Sequence, residues 1–231
     1  YLKELNLGKE VIPAIAKCQS LRQVELPSSL VPSDLAGLEL ALRSFDLEYH
    51  GKISDSDFEM LSRLPVEYLY IDASELTGEG FKKLSGAKHF DGITLSNGLG
   101  ISAESLQDFK ACPHIRVLAF DQCDIDGQQL RAIGNVEQLT HLYVVGGSLN
   151  RNDLSHLGNL KNLTNMGIRD AGLTVDDVRF LTELLPDCQI SASEKGVPFA
   201  PKTMTAHERA AKRVLELKGN VNVKLDNAAP K

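Results

Sequence analysis

Apolar side chains recur along this chain in one six-residue pattern, apolar-x-x-apolar-x-apolar. It occurs as Leu2-x-x-Leu5-x-Leu7, Leu21-x-x-Val24-x-Leu26, Leu42-x-x-Phe45-x-Leu47, Val66-x-x-Leu69-x-Ile71, Phe90-x-x-Ile93-x-Leu95, Ile115-x-x-Leu118-x-Phe120, Leu139-x-x-Leu142-x-Val144 and Leu163-x-x-Met166-x-Ile168. The starts are separated by 19, 21, 24, 24, 25, 24 and 24 residues, a period that chance does not produce. The closing alternation of apolar and other residues has the period of a strand with one buried face.

A second pattern follows each strand. Leu76-Thr77, Ile125-Asp126, Leu149-Asn150 and Leu173-Thr174 are each followed by apolar residues at helical spacing, such as Leu130 and Ile133 after Asp126. The polar member stands where a helix N-cap accepts the unpaired amides of the first turn, and Asp126 with Gln129 has the capping-box spacing. Each unit therefore predicts strand, turn, helix. No unit can bury its own apolar stripe, so neighbours must stack, with strands side by side and helices outside.

This arrangement resembles the leucine-rich-repeat family over Leu2 to about Ile190, closest to its bacterial forms with an Ile-Thr or Leu-Thr step before the helix, and more distantly to ribonuclease-inhibitor-like horseshoes. The resemblance implies an α/β fold: a right-handed solenoid with a parallel concave sheet and convex helices. The Asn or Cys that often follows the strand in that family is present only as Cys123; the equivalent positions hold Ser29, His50, Ser74, Gly98, Gly147 and Ala171. Small residues therefore make the turn, and Cys123 reads as a turn-packing thiol.

The array is expected to span 1–190 and to close near Leu184 to Ile190, where Pro186 breaks the last helix and a short strand covers the open core. Residues 191–204 read as a linker. From 205 to 231, Thr205 and Glu208 have capping-box spacing, Gly219 stops the helix, and Val221, Val223 and Leu225 alternate as a strand, giving a helix-strand appendage or the start of a further repeat region.

Charge changes the picture along the chain. Of 25 Lys+Arg and 31 Asp+Glu, eight basic and three acidic residues lie between 195 and 231, leaving 17 against 28 in the first 194 residues. An acidic body with a basic tail disfavours nucleic acid, whose phosphates require concentrated Lys and Arg. No run approaches the roughly 18 apolar residues of a membrane span. The chain opens on Tyr1 rather than Met, which reads as a piece of something longer. Cys18, Cys112, Cys123 and Cys188 are too scattered for a zinc motif or a disulfide framework and suit a reducing, cytoplasmic setting.

Catalytic motifs are missing: there is no phosphate-cradling Gly-rich loop and no nucleophile elbow. His207-Glu208 lacks the second histidine of a zinc helix, and Asp124-Ile125-Asp126-Gly127 fails as a calcium loop, with Gln122 and Ile133 at its two ends. The acidic run Asp55-Ser56-Asp57 is expected to cap a helix and meet solvent. No enzyme activity, cofactor or metal is expected.

What remains is the concave face. The motif spacing places Glu25, Asp46, Tyr70, Thr94, Ala119 and Tyr143 in its central column. Tyr68, Gly92, Val117 and His141 flank them on one side, and Glu48, Asp72, Asp121 and Arg169 on the other. The expected partner-binding set is Asp46, Glu48, Tyr68, Tyr70, Asp72, Asp121, His141, Tyr143 and Arg169. Tyr70 and Tyr143, three strands apart, should stand about 14 Å from each other as two aromatic walls over a floor of Thr94 and Ala119. Such a face suits a protein or peptide, and its acidic end favours a basic one. The resemblance also implies alternatives: a structural spacer or assembly segment of a larger signalling protein, or a substrate receptor in a ubiquitin-ligase-like assembly.

Overall fold

The computed structural model describes residues 9–18, 22–38 and 44–192. The first copy of the motif, Leu2 to Leu7, lies outside them, as do all but Ser191 and Ala192 of the expected linker and the whole appendage over 205–231. Among the described residues, eight parallel strands run in strict chain order: β1 (Gln23–Leu26), β2 (Phe45–Tyr49), β3 (Val66–Asp72), β4 (Gly92–Ser96), β5 (Val117–Asp121), β6 (His141–Val145), β7 (Asn165–Arg169) and β8 (Gln189–Ala192). Strands β1 to β7 correspond to the second to eighth copies of the motif, and β8 lies where a short strand is expected after Pro186. This is the leucine-rich-repeat type of horseshoe, a parallel sheet with each crossover running through the helical layer.

Register explains why the motif needs its apolar positions. Leu47, Leu69, Ile93, Leu118, Leu142, Met166 and Ile190 pair in sequence across the sheet, and all but Ile190 are at most 1% exposed. Each side chain is covered by the equivalent one in the next repeat, so the core is continuous from Ile12 to Cys188. On the helical side Phe58, Phe81 and Phe109, none exposed at all, form an aromatic spine with ring centroids 5.3 and 4.8 Å apart. Aromatic pairs at that spacing add to the burial of their large apolar area.

The third copy corrects the expected register. Leu47 pairs with Val24 and Leu69, and Tyr49 with Leu26 and Ile71, two positions later than the motif spacing places them. The core pair of β2 is therefore Leu47 and Tyr49. Tyr49 is buried because its hydroxyl donates to the Leu30 carbonyl. A register shift between Phe45 and Asp46 lets Phe45 face the core as well. Consequently Glu48, not Asp46, occupies the central concave column beside Glu25, and His50 follows two residues later on the same face.

The outer layer is more fragmentary than the periodicity predicts. The α-helices are α1 (Ile12–Ala16), α2 (Phe58–Leu61), α3 (Ala103–Gln107), α4 (Gly127–Ile133), α5 (Arg151–Ser155) and α6 (Val175–Leu184). Between and after them run 3₁₀ turns such as Pro32–Leu38 and Phe81–Gly86. A segment that must return within a short repeat has room for one or two turns, where 3₁₀ geometry is common. Of the capping boxes expected from sequence, Asp126 with Gln129 forms one, and Thr205 with Glu208 lies outside the described residues; Asn150 with Asp153 and Thr174 with Asp177 form others.

Asp55 and Asp57 divide the role expected of the acidic run. Asp57 completes a capping box with Ser54. The Asp55 carboxylate instead reaches the next repeat, accepting from the backbone N–H groups of Thr77, Gly78 and Gly80, each at 3.0 Å, and from the Thr77 hydroxyl at 2.9 Å. It thus ties one repeat to the next.

The strand exits share a turn. Asn97, Gln122, Gly146 and Asp170, each directly after its strand, adopt φ of 59°, 55°, 89° and 53°. That left-handed region is open to Gly and tolerated by Asn and Asp, which accounts for the Asn97-Gly98 and Gly146-Gly147 steps. Just beyond, the buried Cys123 thiol donates to the Leu95 carbonyl at 3.1 Å and accepts from the Gly98 N–H at 3.3 Å. This is a turn-packing role. Among the described residues, no helix is long and apolar enough to cross a membrane.

Candidate functional site

Alternation along each strand sends every second side chain to the concave face, and register then sets who meets whom. The central column runs Glu25, Glu48, Tyr70, Thr94, Ala119, Tyr143, Gly167 and Ser191. The flanking column runs Gln23, Asp46, Tyr68, Gly92, Val117, His141 and Asn165. Tyr70 and Tyr143 do lie three strands apart with Thr94 and Ala119 between them. Both tyrosines are half-buried.

Tyr68 is not an exposed anchor. It is 3% exposed, and its hydroxyl meets the Thr94 hydroxyl at 3.0 Å. Its ring lies over Gly92 of the next strand, where an added Cβ would sit 2.5 Å away, and stands 4.6 Å from the Tyr70 ring. Burial pushes the Tyr68 phenol well above its ordinary pKa. Tyr143 does the same on β6, lying over Gly167, where an added Cβ would be 2.8 Å from its ring. Both aromatic rings lean toward the following strand because glycine leaves room there. Tyr68 is the more deeply covered of the two, with the Thr94 hydroxyl on its own and the Tyr70 ring beside it.

Glu48 is likewise mostly covered, at 7% exposure. Its carboxylate oxygen lies 3.3 Å from His50 Nε2, which is also 3.1 Å from Glu25 Oε1. The hydrogen bond to Glu48, reinforced by Glu25, holds the His50 imidazole above its ordinary pKa against the opposing effect of burial. Sequence alone placed His50 in the turn; the corrected register of β2 puts it on the face.

Two grooves open on either side of the Tyr68 and Tyr70 rings. The first, about 620 Å³, lies where the strands enter and is lined by Asp46, Glu67, Tyr68, His89, Asp91, His114, Arg116, Val117, Thr140 and His141. The second, about 330 Å³, lies where they leave and includes Glu48, His50, Tyr70, Asp72, Asn97 and Asp121. Asp72 accepts from the Ser74 N–H at 2.9 Å and Asn97 Nδ2 at 3.0 Å; burial would raise its pKa, but these donors outweigh it and hold the carboxyl below the usual range. Asp121 has its pKa raised by burial.

The expected set thus divides. Asp46, Tyr68 and His141 line the first groove, and Glu48, Tyr70, Asp72 and Asp121 the second. Tyr143, 6.3 Å from His141 ring to ring, lines neither, and half-buried Arg169 stands further along on β7. Glu67, Asp91, Arg116, His89 and His114 were missed because they sit at the strand entries, outside the alternating columns.

No protein-family model and no curated protein matches the chain. Among solved structures it is similar to the TLR13 chain in a crystal structure of a TLR13–ssRNA13 complex, with 17% sequence identity and a TM-score of 0.50. The likeness covers 74% of this chain and 29% of that one, so this chain spans under a third of its length. At that identity the likeness is one of fold: the chain is a leucine-rich-repeat-type solenoid.

Proposed function

We propose that this chain is a non-catalytic recognition module whose concave face receives a basic segment of a partner protein. One observation carries the reading. Among the described residues, Asp46, Glu67 and Asp91 line one groove and Glu48, Asp72 and Asp121 the other, against Arg116 alone among Lys and Arg. A cleft lined by one sign of charge raises the local concentration of the opposite sign and speeds encounter. Tyr70 and Tyr143 supply amphipathic rings of the kind that anchor interfaces. The TLR13 structure is that of a complex with ssRNA; on this face a phosphate backbone would meet six carboxylates, which favours polypeptide over RNA. The free thiols suit a reducing compartment such as the cytoplasm.

A peptide array tests it. Lys/Arg-rich peptides should be retained and Asp/Glu-rich ones not, retention should fall as salt rises, and the double variant Tyr70→Ala with Asp121→Asn should lose it while staying folded. Equal retention of both peptide classes, or preferential capture of a single-stranded RNA oligonucleotide, overturns the reading.

A further inference from the structure

The corrected register of β2 assembles a group that recognition of a basic segment does not require. Glu48 and His50 are two residues apart on one extended stretch, so both project to the concave face. Glu25 is the direct neighbour of Glu48 on β1. His50 remains in the ladder, its N–H donating to the Leu26 carbonyl at 3.2 Å, and so its ring is held over the two carboxylates rather than swinging with the turn.

The side chains of Glu25 and Glu48 are only 8% and 9% exposed, whereas that of His50 is 45% exposed and covers them from the solvent side. Two acidic side chains directly opposite each other on neighbouring strands repel. Charges removed from water to this degree are found paired or coordinating a metal. Among the described residues, the groove into which Glu48 and His50 open adds Asp72 and Asp121 and has no Lys or Arg in its lining.

The spacing admits a coordination shell. One atom from each residue, His50 Nε2 and a carboxylate oxygen from each Glu, lies within 4.8 Å of the other two, with His50 Nε2 at 3.1 and 3.3 Å from the oxygens. Around a small tetrahedral ion with bonds of about 2.0–2.1 Å, ligand atoms stand roughly 3.3–3.4 Å apart. One imidazole and two carboxylates suit a borderline divalent ion, whereas calcium and magnesium take oxygen ligands.

We propose that Glu25, Glu48 and His50 form a binding site for one divalent transition-metal ion of the zinc class, bridging β1 and β2 and leaving its fourth position to water on the groove side. The ion offsets the two buried carboxylates and fixes the His50 ring. Glu25 on β1, Glu48 on β2 and His50 directly after β2 hold it, so binding needs no partner, and the site stands or falls independently of the recognition reading.

The test uses the full chain in a Cys18→Ser background, which removes the exposed thiol as a competing ligand. Zinc chloride is titrated by calorimetry at about pH 7.5 into this protein, into a variant that also carries His50→Gln, and into one that also carries Glu25→Gln and Glu48→Gln. Circular dichroism confirms that each is folded. One equivalent of zinc should bind, and both sets of substitutions should weaken it by more than the roughly ten- to hundredfold that loss of an outer partner costs. Cobalt(II) added in place of zinc should give the visible absorption of a four-coordinate site only in the protein with all three residues intact. If the folded protein takes up no zinc, or if uptake is unchanged in both variants, the proposal is wrong and the contacts of Glu25, Glu48 and His50 are structural only.

Discussion

The ring of Tyr68 lies across Gly92, its direct neighbour on the next strand, so closely that a methyl group there would sit 2.5 Å from Tyr68 Cε2 and 2.8 Å from Val117 Cβ. The aromatic ring could rotate away; the β-carbon of Val117 is fixed by its strand. Gly92→Ala should therefore overpack the sheet and cost about 1–3 kcal/mol, read as a lower urea midpoint at unchanged slope. Tyr68→Phe removes the hydroxyl that meets Thr94, a residue 1% exposed, and should cost about 1–3 kcal/mol for the buried group left behind. Midpoints equal to that of the parent would show that the ring is mobile on the surface.

Leu118 tests the stacked core. It is fully buried and pairs with Ile93 on one side and Leu142 on the other, so its side chain belongs to two inter-repeat interfaces. Leu118→Ala should cost about 2–5 kcal/mol through the cavity it leaves. In a chain whose repeats touch only their neighbours the damage should spread locally. Amide hydrogen exchange should accelerate most in β4, β5 and β6 and least in β8; uniform acceleration would mean that the solenoid opens as one unit.

How much of this was legible depended on what each residue's placement required. Leu69, Ile93, Leu118 and Leu142 announce the solenoid because they repeat, and repetition survives errors in detail. Around β2 the pattern pointed to the wrong pair: Leu42, Phe45 and Leu47 satisfy the motif, whereas the register that forms puts Ser44 at its first apolar position, and Tyr49 takes the core place with its hydroxyl donating to the Leu30 carbonyl. That two-residue difference hid the neighbourhood of Glu25, Glu48 and His50. Tyr68 was misplaced for a related reason, since its depth comes from Gly92 and Thr94 across the sheet and the Tyr70 ring beside it, which its own alternation does not reveal. The strand entries that complete the first groove, Glu67, Asp91 and Arg116, follow no period, and only the fold gathers them.

The thiols should separate by environment. Burial pushes Cys123 and Cys188 up to about 11 and Cys112 up to about 12, whereas Cys18 is exposed. Because the thiolate is the reactive form, a disulfide-exchange reagent at about pH 8 should modify Cys18 rapidly in the folded protein and the buried thiols only as fast as the repeats open. Cys18→Ser should abolish the fast phase. If a fast phase survives that substitution, one of the buried sulfurs must be reaching solvent.

Asp55 provides the pH dependence with a definite sign. Burial works to raise its pKa, but the N–H groups of Gly80, Thr77 and Gly78 and the Thr77 hydroxyl together hold it below the ordinary carboxyl value. A group whose pKa is depressed in the folded state stabilises above its unfolded pKa of about 3.9, and that contribution is lost as the pH falls through the folded value. Asp55→Ala should cost about 1–2 kcal/mol near pH 7, as loss of a helix cap does, and the cost should shrink below about pH 4, where the parent's own carboxylate is protonated. Other carboxyls titrate in the same window, so the quantity to follow is the difference between parent and variant in parallel urea melts, in which their contributions cancel. A difference that stays constant from neutral to acid would show that the carboxylate's charge plays no part in tying the Asp55 repeat to the one that holds Thr77.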